Sequence, residues 1–369
     1  MSMVRTIAFL MWFGVLAAAA AHAQVSSFTK ISAVAGVRSL DDGDAFGSAV
    51  APLGDLDGDA EPETVTALAV GVPLNDDGGF NRGAVWILFL DAEGFVEHVQ
   101  EISDIEGGFT GELNREDNFG RSVAPLGDLD GDGVTDLAVG APEDDDGNFN
   151  SGAVWILFLN ADGTVKDHQK ISNTEGNLGE GLASLNNFGT ALAGLGDLDG
   201  DGVPDLAVGV PLDDDGGQDR GAVWILFLNA DGTVKDHQKI SSLQGSFNGT
   251  LNDRNLFGTA VTNLGDRDGD GVVDLAVGAA GDDDGCPDEN GDQTPGDCNK
   301  GAVWLLFLNA QGGVKNQQKI SATQGNFAGT LREQDQFGSA VSLLDDLDGD
   351  GVAEFVAGAA LDEIGRAHV

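Results

Sequence analysis

Several residue types on which catalytic sites depend are scarce in this sequence. Its 369 residues include no Tyr, five His, two Cys and three Met. Two of the histidines, His22 and His368, lie near the chain ends, and no Ser-His-Asp or Cys-His arrangement can be argued from the remainder. Because acidic pairs are too common to single one out, the composition argues against an enzyme.

Positive charge is also scarce. Lys and Arg total 18 against 62 Asp and Glu, which gives a formal net charge of −44. A basic footprint is absent, so nucleic acid is not an expected partner. The hydrophobic fraction of 41% is that of a globular protein. Most of the carboxylates are therefore interpreted as a solvated surface that keeps the protein soluble.

A long hydrophobic run occurs only at the N-terminus. Residues 1–23 predict a signal peptide, with Arg5 as the charged start, an apolar run over 7–20, and Ala21-His22-Ala23 as the cleavage site. This run is too short for an ordinary membrane span, and no later stretch is long enough. We expect a mature chain from Gln24 that is secreted, at the cell surface or in the periplasm.

The two cysteines lie 12 residues apart, at Cys286 and Cys298. Secretion favours disulfides, so we expect these cysteines to be bridged. The alternatives are two free thiols or a partial metal site, which two cysteines without a nearby His support poorly.

The feature that dominates the chain is a fivefold repeat. Each unit contains Phe-Gly, followed nine residues after the Phe by an acidic loop that leads into an apolar strand. The Phe residues are Phe46, Phe119, Phe188, Phe257 and Phe337. We call the segments 55–63, 128–136, 197–205, 266–274 and 346–354 acidic loops 1 to 5. A repeat of this length indicates a repetitive architecture.

The second unit predicts four strands. Segments 122–126 and 137–142 flank acidic loop 2, a third strand over 153–159 is apolar throughout, and a fourth over 165–172 alternates polar and apolar residues. An entirely apolar strand is covered on both faces, and a polar alternating one suits an outer edge. The predicted fold is all-β, a β-propeller of four-stranded antiparallel blades with four full units and a partial fifth. Trp86, Trp155, Trp224 and Trp304 recur in register and are interpreted as core between blades.

The acidic loops predict calcium. In acidic loop 2 the carboxylates stand at positions 1, 3, 5 and 9, Gly133 permits a tight turn, and Val134 offers its carbonyl. All-oxygen coordination suits a hard cation with 6–8 ligands, and magnesium requires a stricter octahedron. An EF-hand is excluded because position 12 is Val139, inside a strand, where that motif needs Glu and a following helix.

We predict up to five calcium ions, about one for each acidic loop. The candidate ligands are Asp55, Asp57, Asp59 and Glu63; Asp128, Asp130, Asp132, Val134 and Asp136; Asp197, Asp199, Asp201, Val203 and Asp205; Asp266, Asp268, Asp270, Val272 and Asp274; and Asp346, Asp348, Asp350, Val352 and Glu354. Acidic loop 1 fits least well, because Ala60 replaces the turn glycine and Pro62 intrudes.

These motifs resemble the FG-GAP repeat. Phe119-Gly120, acidic loop 2 and Gly140-Ala141-Pro142 match its pattern, and the resemblance extends over about 28–360. FG-GAP repeats form the N-terminal β-propeller of integrin α-subunits and occur in many bacterial secreted proteins. The resemblance implies calcium at the aspartate loops and a role in adhesion or protein interaction. The family propeller has seven shorter blades, which leaves the blade number of this chain open.

Two observations suggest a truncated propeller over 24–362. Segment 28–32 matches the end of a fourth strand, which suits a ring closed by pairing with a C-terminal blade. Residues 363–369 fit the translation of a common sequencing adapter, so we expect them not to be native and the ring to be incomplete. The alternative is a short native tail.

Because successive strands are antiparallel, the acidic loops share one face of the propeller with the short turns between third and fourth strands. The opposite face, here called the upper face, gathers the loops between second and third strands and the long loops between blades. Variable loops on a rigid scaffold are common binding sites. We expect a macromolecular partner there, either a protein or a cell-surface or matrix glycan bound in a lectin-like way. A lyase or hydrolase is the weaker alternative.

Two further sets of residues are interpreted as solvated. His98, His168 and His237 are taken as one position of the outer strand, exposed rather than catalytic. The Asp-Asp-Asp-Gly segments that begin at Asp144, Asp213 and Asp282 lack the alternating spacing of a coordination loop, so we interpret them as exposed turns; the alternative is that they bind further cations on the upper face.

Overall fold

The computed structural model describes residues 40–56, 66–91, 93–179, 181–286, 298–344, 346–347, 349 and 351–362. These residues form eighteen β-strands and no helix. The strands are β1 (Val50–Gly54), β2 (Thr66–Val72), β3 (Ala84–Leu90), β4 (Val96–Ile102), β5 (Ser122–Gly127), β6 (Asp136–Ala141), β7 (Ala153–Leu159), β8 (Val165–Ile171), β9 (Ala191–Gly196), β10 (Asp205–Val210), β11 (Ala222–Leu228), β12 (Val234–Ile240), β13 (Phe257–Asn263), β14 (Leu275–Ala279), β15 (Ala302–Leu308), β16 (Val314–Ile320), β17 (Phe337–Leu343) and β18 (Phe355–Ala359).

The strands form four four-stranded antiparallel sheets and one two-stranded sheet, each in chain order. We call the sheets β1–β4, β5–β8, β9–β12, β13–β16 and β17–β18 blades 1 to 5. The first strands of successive blades lie side by side, since β5 contacts β9, and β13 contacts both β9 and β17. The predicted all-β propeller, with four full units and the first two strands of a fifth, is confirmed. The predicted signal peptide, the segment 28–32 and residues 363–369 lie outside the described residues.

Burial explains the order of strands within a blade. The third strands β7 and β11 are buried at every residue, whereas the fourth strands β8 and β12 expose their polar residues near the start. Apolar β-branched and aromatic side chains on both faces need a cover on both sides. The third strand therefore lies inside the blade, with a neighbouring blade on each face, and the fourth strand forms the outer edge.

The hydrophobic cores lie between blades rather than within them. One buried cluster joins Ile87 and Phe89 of blade 1 to Leu137 and Trp155 of blade 2, and equivalent clusters join the later pairs of blades. Phe109, in the loop that enters blade 2, packs edge-on against Trp155 with a centroid distance of 5.1 Å. The prediction that the tryptophans form core between blades is confirmed for Trp155, Trp224 and Trp304, whereas Trp86 is buried in a cluster formed by blade 1 and the segment before it. Each blade is thus completed by the next.

The Phe-Gly motif connects neighbouring blades. Phe119 forms a parallel bridge with Gly83 of the preceding blade, and the same bridge joins Gly152 to Phe188. Gly120 also donates its backbone N–H to the carbonyl oxygen of Gly140 in its own blade, at 3.1 Å. The motif therefore fixes the position of one sheet relative to the preceding one.

Cys286 and Cys298 form a disulfide with a Cα–Cα distance of 6.3 Å, as expected from the sequence. The segment 287–297 that it closes lies outside the described residues. In the part of the chain that the structure covers, no helix has the length and apolar character that crossing a membrane requires.

Candidate metal centres

Acidic loops 2, 3 and 4 each join the first two strands of a blade, and each is shaped by its first aspartate. The Oδ1 atom of Asp128 accepts backbone N–H groups of Gly131 at 2.8 Å and Asp132 at 2.9 Å, and its Oδ2 atom accepts that of Gly133 at 2.9 Å. Gly131 and Gly133 both have positive φ, at 83° and 91°. Glycine is needed at these positions because other residues are strained in that region. The side chain of position 1 thus folds the loop around itself.

Three carboxylates converge in each of acidic loops 2, 3 and 4. In acidic loop 2, one oxygen each from Asp128, Asp130 and Asp136 lie within 4.8 Å of one another. The equivalent groups are Asp197, Asp199 and Asp205 in acidic loop 3, and Asp266, Asp268 and Asp274 in acidic loop 4. The structure therefore brings together the residues predicted at positions 1, 3 and 9.

The position 9 aspartate is buried at the start of the second strand. Asp136 is 0% exposed, its Oδ2 atom accepts the N–H of Leu129 at 2.9 Å, and its Oδ1 atom accepts that of Leu159 at 3.0 Å. Burial raises the pKa of Asp136 to about 6, and it raises the pKa of Asp205 likewise to about 6. A buried carboxylate is stabilised by a cation placed beside it.

The position 5 aspartate has a different neighbour, which the sequence analysis missed. Asp132 contacts the ammonium group of Lys166, and its Oδ1 atom accepts the N–H of Val134 at 2.9 Å. The same ammonium group lies 2.8 Å from Oδ2 of Asp130. The hydrogen bond from Lys166 lowers the pKa of Asp132. The signal available in the sequence is the recurrence of Lys166, Lys235 and Lys315 at one position of the outer strand.

The side chains of Val134, Val203 and Val272 pack against the cores between blades, which leaves their backbone carbonyls as the predicted ligands. In acidic loop 5, Asp346 accepts the N–H groups of Gly349 at 2.7 Å and Gly351 at 2.8 Å, and Oε2 of Glu354 accepts that of Leu347 at 2.6 Å. Asp346 and Glu354 therefore repeat the roles of Asp128 and Asp136. Val352 is exposed in the same loop.

Several predicted ligands lie outside the described residues. These are Asp57, Asp59 and Glu63 of acidic loop 1 and Asp348 and Asp350 of acidic loop 5. In acidic loop 1, the structure describes Asp55, which directly follows β1 and is exposed. The ligand set of these two loops stays a prediction.

The convergent carboxylates fit a hard divalent cation. Calcium takes 6–8 oxygen ligands at roughly 2.3–2.6 Å and tolerates irregular geometry. Three carboxylates within 4.8 Å of one another, one of them buried, supply part of such a set. The sulfur atoms of Cys286 and Cys298 approach Asp283, but they are bonded to each other and are not available as metal ligands.

On the upper face, the expectation of solvated Asp-Asp-Asp turns is wrong for the first aspartate of each segment. Asp144 is 1% exposed, and its Oδ2 atom lies 2.8 Å from Nζ of Lys170, which also lies 5.4 Å from the centroid of the Trp155 ring. Asp213 with Lys239 and Asp282 with Lys319 repeat the ion pair at 2.8 Å. The lysine arrives from the outer strand, 26 residues along the chain from Asp144, which no local spacing reveals.

Asp117 lies beside this ion pair. It is 1% exposed, and burial together with the charge of Asp144 raises the pKa of Asp117 to about 7. In blade 3 the same place holds Asn186, whose Nδ2 group donates to Oδ2 of Asp213 at 2.9 Å. Blade 2 thus buries two carboxylates where blade 3 buries one carboxylate and one amide.

The interpretation of the three histidines needs two corrections. The strand register places His98 opposite Phe89 but His168 opposite Leu157, so His98 corresponds to Asp167 and not to His168. His168 is half-buried against Phe109 and Trp155, at 5.0 and 5.3 Å between ring centroids, and burial lowers its pKa. His168 is therefore a packing residue rather than a solvated one.

These features define a β-propeller in which glycine contacts join the blades and acidic loops link their first two strands. A family model described as FG-GAP repeat matches residues 119–157 and 188–226. The chain therefore contains FG-GAP repeats.

The chain is also similar to integrin alpha subunits. The chain is 33% identical over 231 residues to integrin alpha-PS2 of Drosophila melanogaster, which covers 61% of this chain and 14% of that protein. It is 36% identical over 168 residues to integrin alpha-5 of Xenopus laevis, with 44% and 15% covered, and 36% identical over 158 residues to integrin alpha-2 of Mus musculus, with 42% and 12% covered. The chain thus aligns with less than a fifth of the length of these relatives.

Proposed function

We propose that this chain is a secreted or cell-surface calcium-binding propeller that mediates adhesion or protein interaction through its upper face. The similarity to integrin alpha subunits supports the adhesive role, and the predicted signal peptide supports secretion. The observation that supports this role most directly is a set of large apolar side chains exposed on the upper face. The proposal is one of binding rather than catalysis.

In the proposed metal sites, each ion binds the carboxylates at positions 1, 3 and 9, with position 5 and the carbonyl of position 7 completing the protein ligands. Calcium supplies positive charge that holds these carboxylates together. The hydrogen bonds from Gly131 and Gly133 already fix Asp128 in the loop. One oxygen of Asp128 also lies within 4.8 Å of oxygens of Asp130 and Asp136, so little ordering of these carboxylates is left for ion binding.

Several large apolar side chains are exposed on the upper face. Phe80 is 50% exposed and Phe149 is 61% exposed at equivalent positions of blades 1 and 2, in the loops between second and third strands. Ile105, Leu185 and Leu243 are also exposed, in the long loops that connect blades. Aromatic and aliphatic groups exposed together, among polar neighbours, are typical of protein-binding surfaces.

The loops that carry these side chains are held in place. The carbonyl oxygen of Phe149 accepts the N–H of Leu185 at 2.8 Å, which ties a loop of blade 2 to the loop that leads into blade 3. Oδ1 of Asp145 accepts the N–H of Asn150 at 2.7 Å, and Oδ2 of Asp146 accepts the hydroxyl of Ser172 at 2.6 Å. A preorganised surface loses less conformational entropy on binding.

The test compares aromatic residues on opposite faces. Phe80→Ser/Phe149→Ser removes two exposed rings from the upper face, and the control Phe95→Ser removes a ring that is 57% exposed in the turn between β3 and β4. Purified proteins in calcium are assayed by surface plasmon resonance on fibronectin, laminin and collagen and on a glycan array. We expect the double variant to lose at least about tenfold in affinity, and the control to bind as the original protein does.

Two results would overturn the adhesive proposal. One is equal binding by the original protein and the upper-face double variant, with loss in Phe95→Ser. The other is glycan binding without protein binding that disappears in chelator, which would favour the lectin-like alternative. Elemental analysis of dialysed protein tests the calcium part separately, and material without bound alkaline-earth metal would contradict it.

A further inference from the structure

Three lysines of the outer strands reach across to the acidic loops. Nζ of Lys166 lies 2.8 Å from Oδ2 of Asp130 and also contacts Asp132. Lys235 lies 2.7 Å from Asp199 and contacts Asp201, and Lys315 lies 3.0 Å from Asp268 and contacts Asp270. The same three-group arrangement in three blades is a regular part of the loop. It pairs the carboxylates of positions 3 and 5 with one ammonium group.

The place of each lysine in the sheet explains its reach. Lys166 is the second residue of β8, directly after the short turn that lies on the same face as acidic loop 2. The side chain extends along this face and is 23% exposed, so it is shielded from water in part. Partial shielding strengthens its interaction with the aspartates relative to a fully hydrated ion pair.

The ammonium group has opposite effects on the two states of the loop. Without a divalent ion, it offsets repulsion among four carboxylates within nine residues. With a divalent ion bound through Asp130, a third positive charge stands within a few ångströms of that ion. Like charges at such short distances repel each other, and the repulsion is stronger near a protein surface than in bulk water. The lysine therefore stabilises the ion-free loop and opposes ion binding.

We propose that Lys166, Lys235 and Lys315 are built-in counter-ions that hold acidic loops 2, 3 and 4 in shape without calcium and weaken their affinity for it. The inference rests on the calcium binding proposed above. It predicts that these loops bind calcium with dissociation constants of roughly 0.1–1 mM, the range of extracellular calcium-binding modules. Blade 1 offers a contrast, because the second residue of β4 is the exposed Glu97.

The test substitutes the lysine and follows two properties. Lys166→Gln removes the counter-ion of acidic loop 2, Lys166→Arg keeps the charge, and Lys166→Gln/Lys235→Gln/Lys315→Gln removes all three. The matched control is Arg121→Gln, which removes one exposed positive charge before β5, at the end of that strand remote from acidic loop 2. Calcium affinity is measured by isothermal titration calorimetry, and the melting temperature is measured in chelator.

We expect calcium to bind acidic loop 2 about tenfold more tightly in Lys166→Gln, and the triple variant to melt at a lower temperature in chelator. Lys166→Arg and Arg121→Gln should retain the original affinity and melting temperature. Unchanged or weaker calcium binding in Lys166→Gln would overturn the inference while leaving the calcium function intact. If no variant binds calcium, the proposed calcium function fails, and an unchanged melting temperature in chelator would independently overturn the counter-ion role.

Discussion

The carbonyl oxygen of Gly120 lies 2.0 Å from the point that a Cβ atom on Gly71 would occupy. Gly71 belongs to the second strand of blade 1, and Gly120 follows the Phe that opens the unit of blade 2. The same approach recurs for Gly140 with Gly189, Gly209 with Gly258 and Gly278 with Gly338. The glycines of the two halves of the FG-GAP motif therefore meet across the boundary between blades.

A methyl group at this boundary should destabilise the propeller. In Gly140→Ala the added Cβ would meet the carbonyl oxygen of Gly189 at 2.0 Å and Oγ of Ser122 at 2.3 Å. Because a backbone oxygen cannot rotate away, we expect a loss of at least about 1–3 kcal/mol in the free energy of unfolding. Chemical denaturation measures it.

The control for this substitution is Gly181→Ala, whose Cβ would meet its nearest atom, Oδ1 of Asn173, at an ordinary 3.8 Å. Gly181 lies in an exposed loop, so its variant should be nearly as stable as the original protein. Equal stability of the two variants would contradict a steric role for the glycine contact.

Asp117 should make stability depend on pH. Its folded pKa is raised to about 7 by burial and by Asp144, whereas an unfolded Asp titrates near 3.9. The raised pKa means that the folded state binds the proton more tightly. The stabilisation of the folded state by protonated Asp117 is therefore complete below about pH 4 and is lost as pH rises through about 7.

Asp117→Asn should remove this loss of stability at high pH, because an amide does not titrate. Asn186 shows that an amide fits the equivalent place in blade 3. We expect the variant to be more stable at pH 8, by up to roughly 4 kcal/mol, and to differ little at pH 4. Denaturation at constant calcium across this range measures it, with the exposed Asp167→Asn as control. A gain of the same size at both pH values would count against titration of Asp117.

Removal of Lys170 should be costly, because it leaves Asp144 buried without a cation. A broken buried ion pair typically costs about 3–5 kcal/mol. Lys170→Met should therefore lower the free energy of unfolding by this order. Adding Asp144→Asn should recover part of the loss, since blade 1 buries Asn75 at the position of Asp144. If the double variant is no more stable than Lys170→Met, the uncompensated charge is not the cause.

Chelation should lower the melting temperature, because divalent ions would no longer hold the carboxylates of the acidic loops together. Asp136→Asn should also reduce the bound calcium by one ion for each chain, with Asp162→Asn, in the exposed turn on the same face, as the control. Elemental analysis and calorimetry with and without chelator measure both effects. A melting temperature that is the same in calcium and in chelator would exclude a structural role for the ion.

The blades could be predicted from the sequence because their signals are local and repeated. The apolar third strand over 153–159 was placed at its observed ends, and the strands around acidic loop 2 were placed to within one residue. In acidic loop 2, the positions 1, 3 and 9 that converge in space are close in sequence. Local spacing and a short loop leave little freedom for such residues.

The contacts that the sequence did not reveal join distant segments. Lys166 reaches Asp132 across 34 residues, and Gly71 approaches Gly120 across 49. The histidine is the third residue of β4 but the fourth residue of β8. His98 therefore lies on the opposite face of its sheet from His168, because successive side chains of a strand alternate. The sequence does carry this signal, because His98 follows Trp86 by 12 residues whereas His168 follows Trp155 by 13.

Because Trp155 completes a core whose other half comes from blade 1, damage to one blade is shared with its neighbour. In linear arrays of this kind, the stability of a unit depends strongly on its interfaces. We therefore expect neighbouring blades to unfold together rather than one at a time. A substitution that leaves a cavity at Trp155 should destabilise blades 1 and 2 together, and blade 4 less. Hydrogen exchange would display this as paired loss of protection.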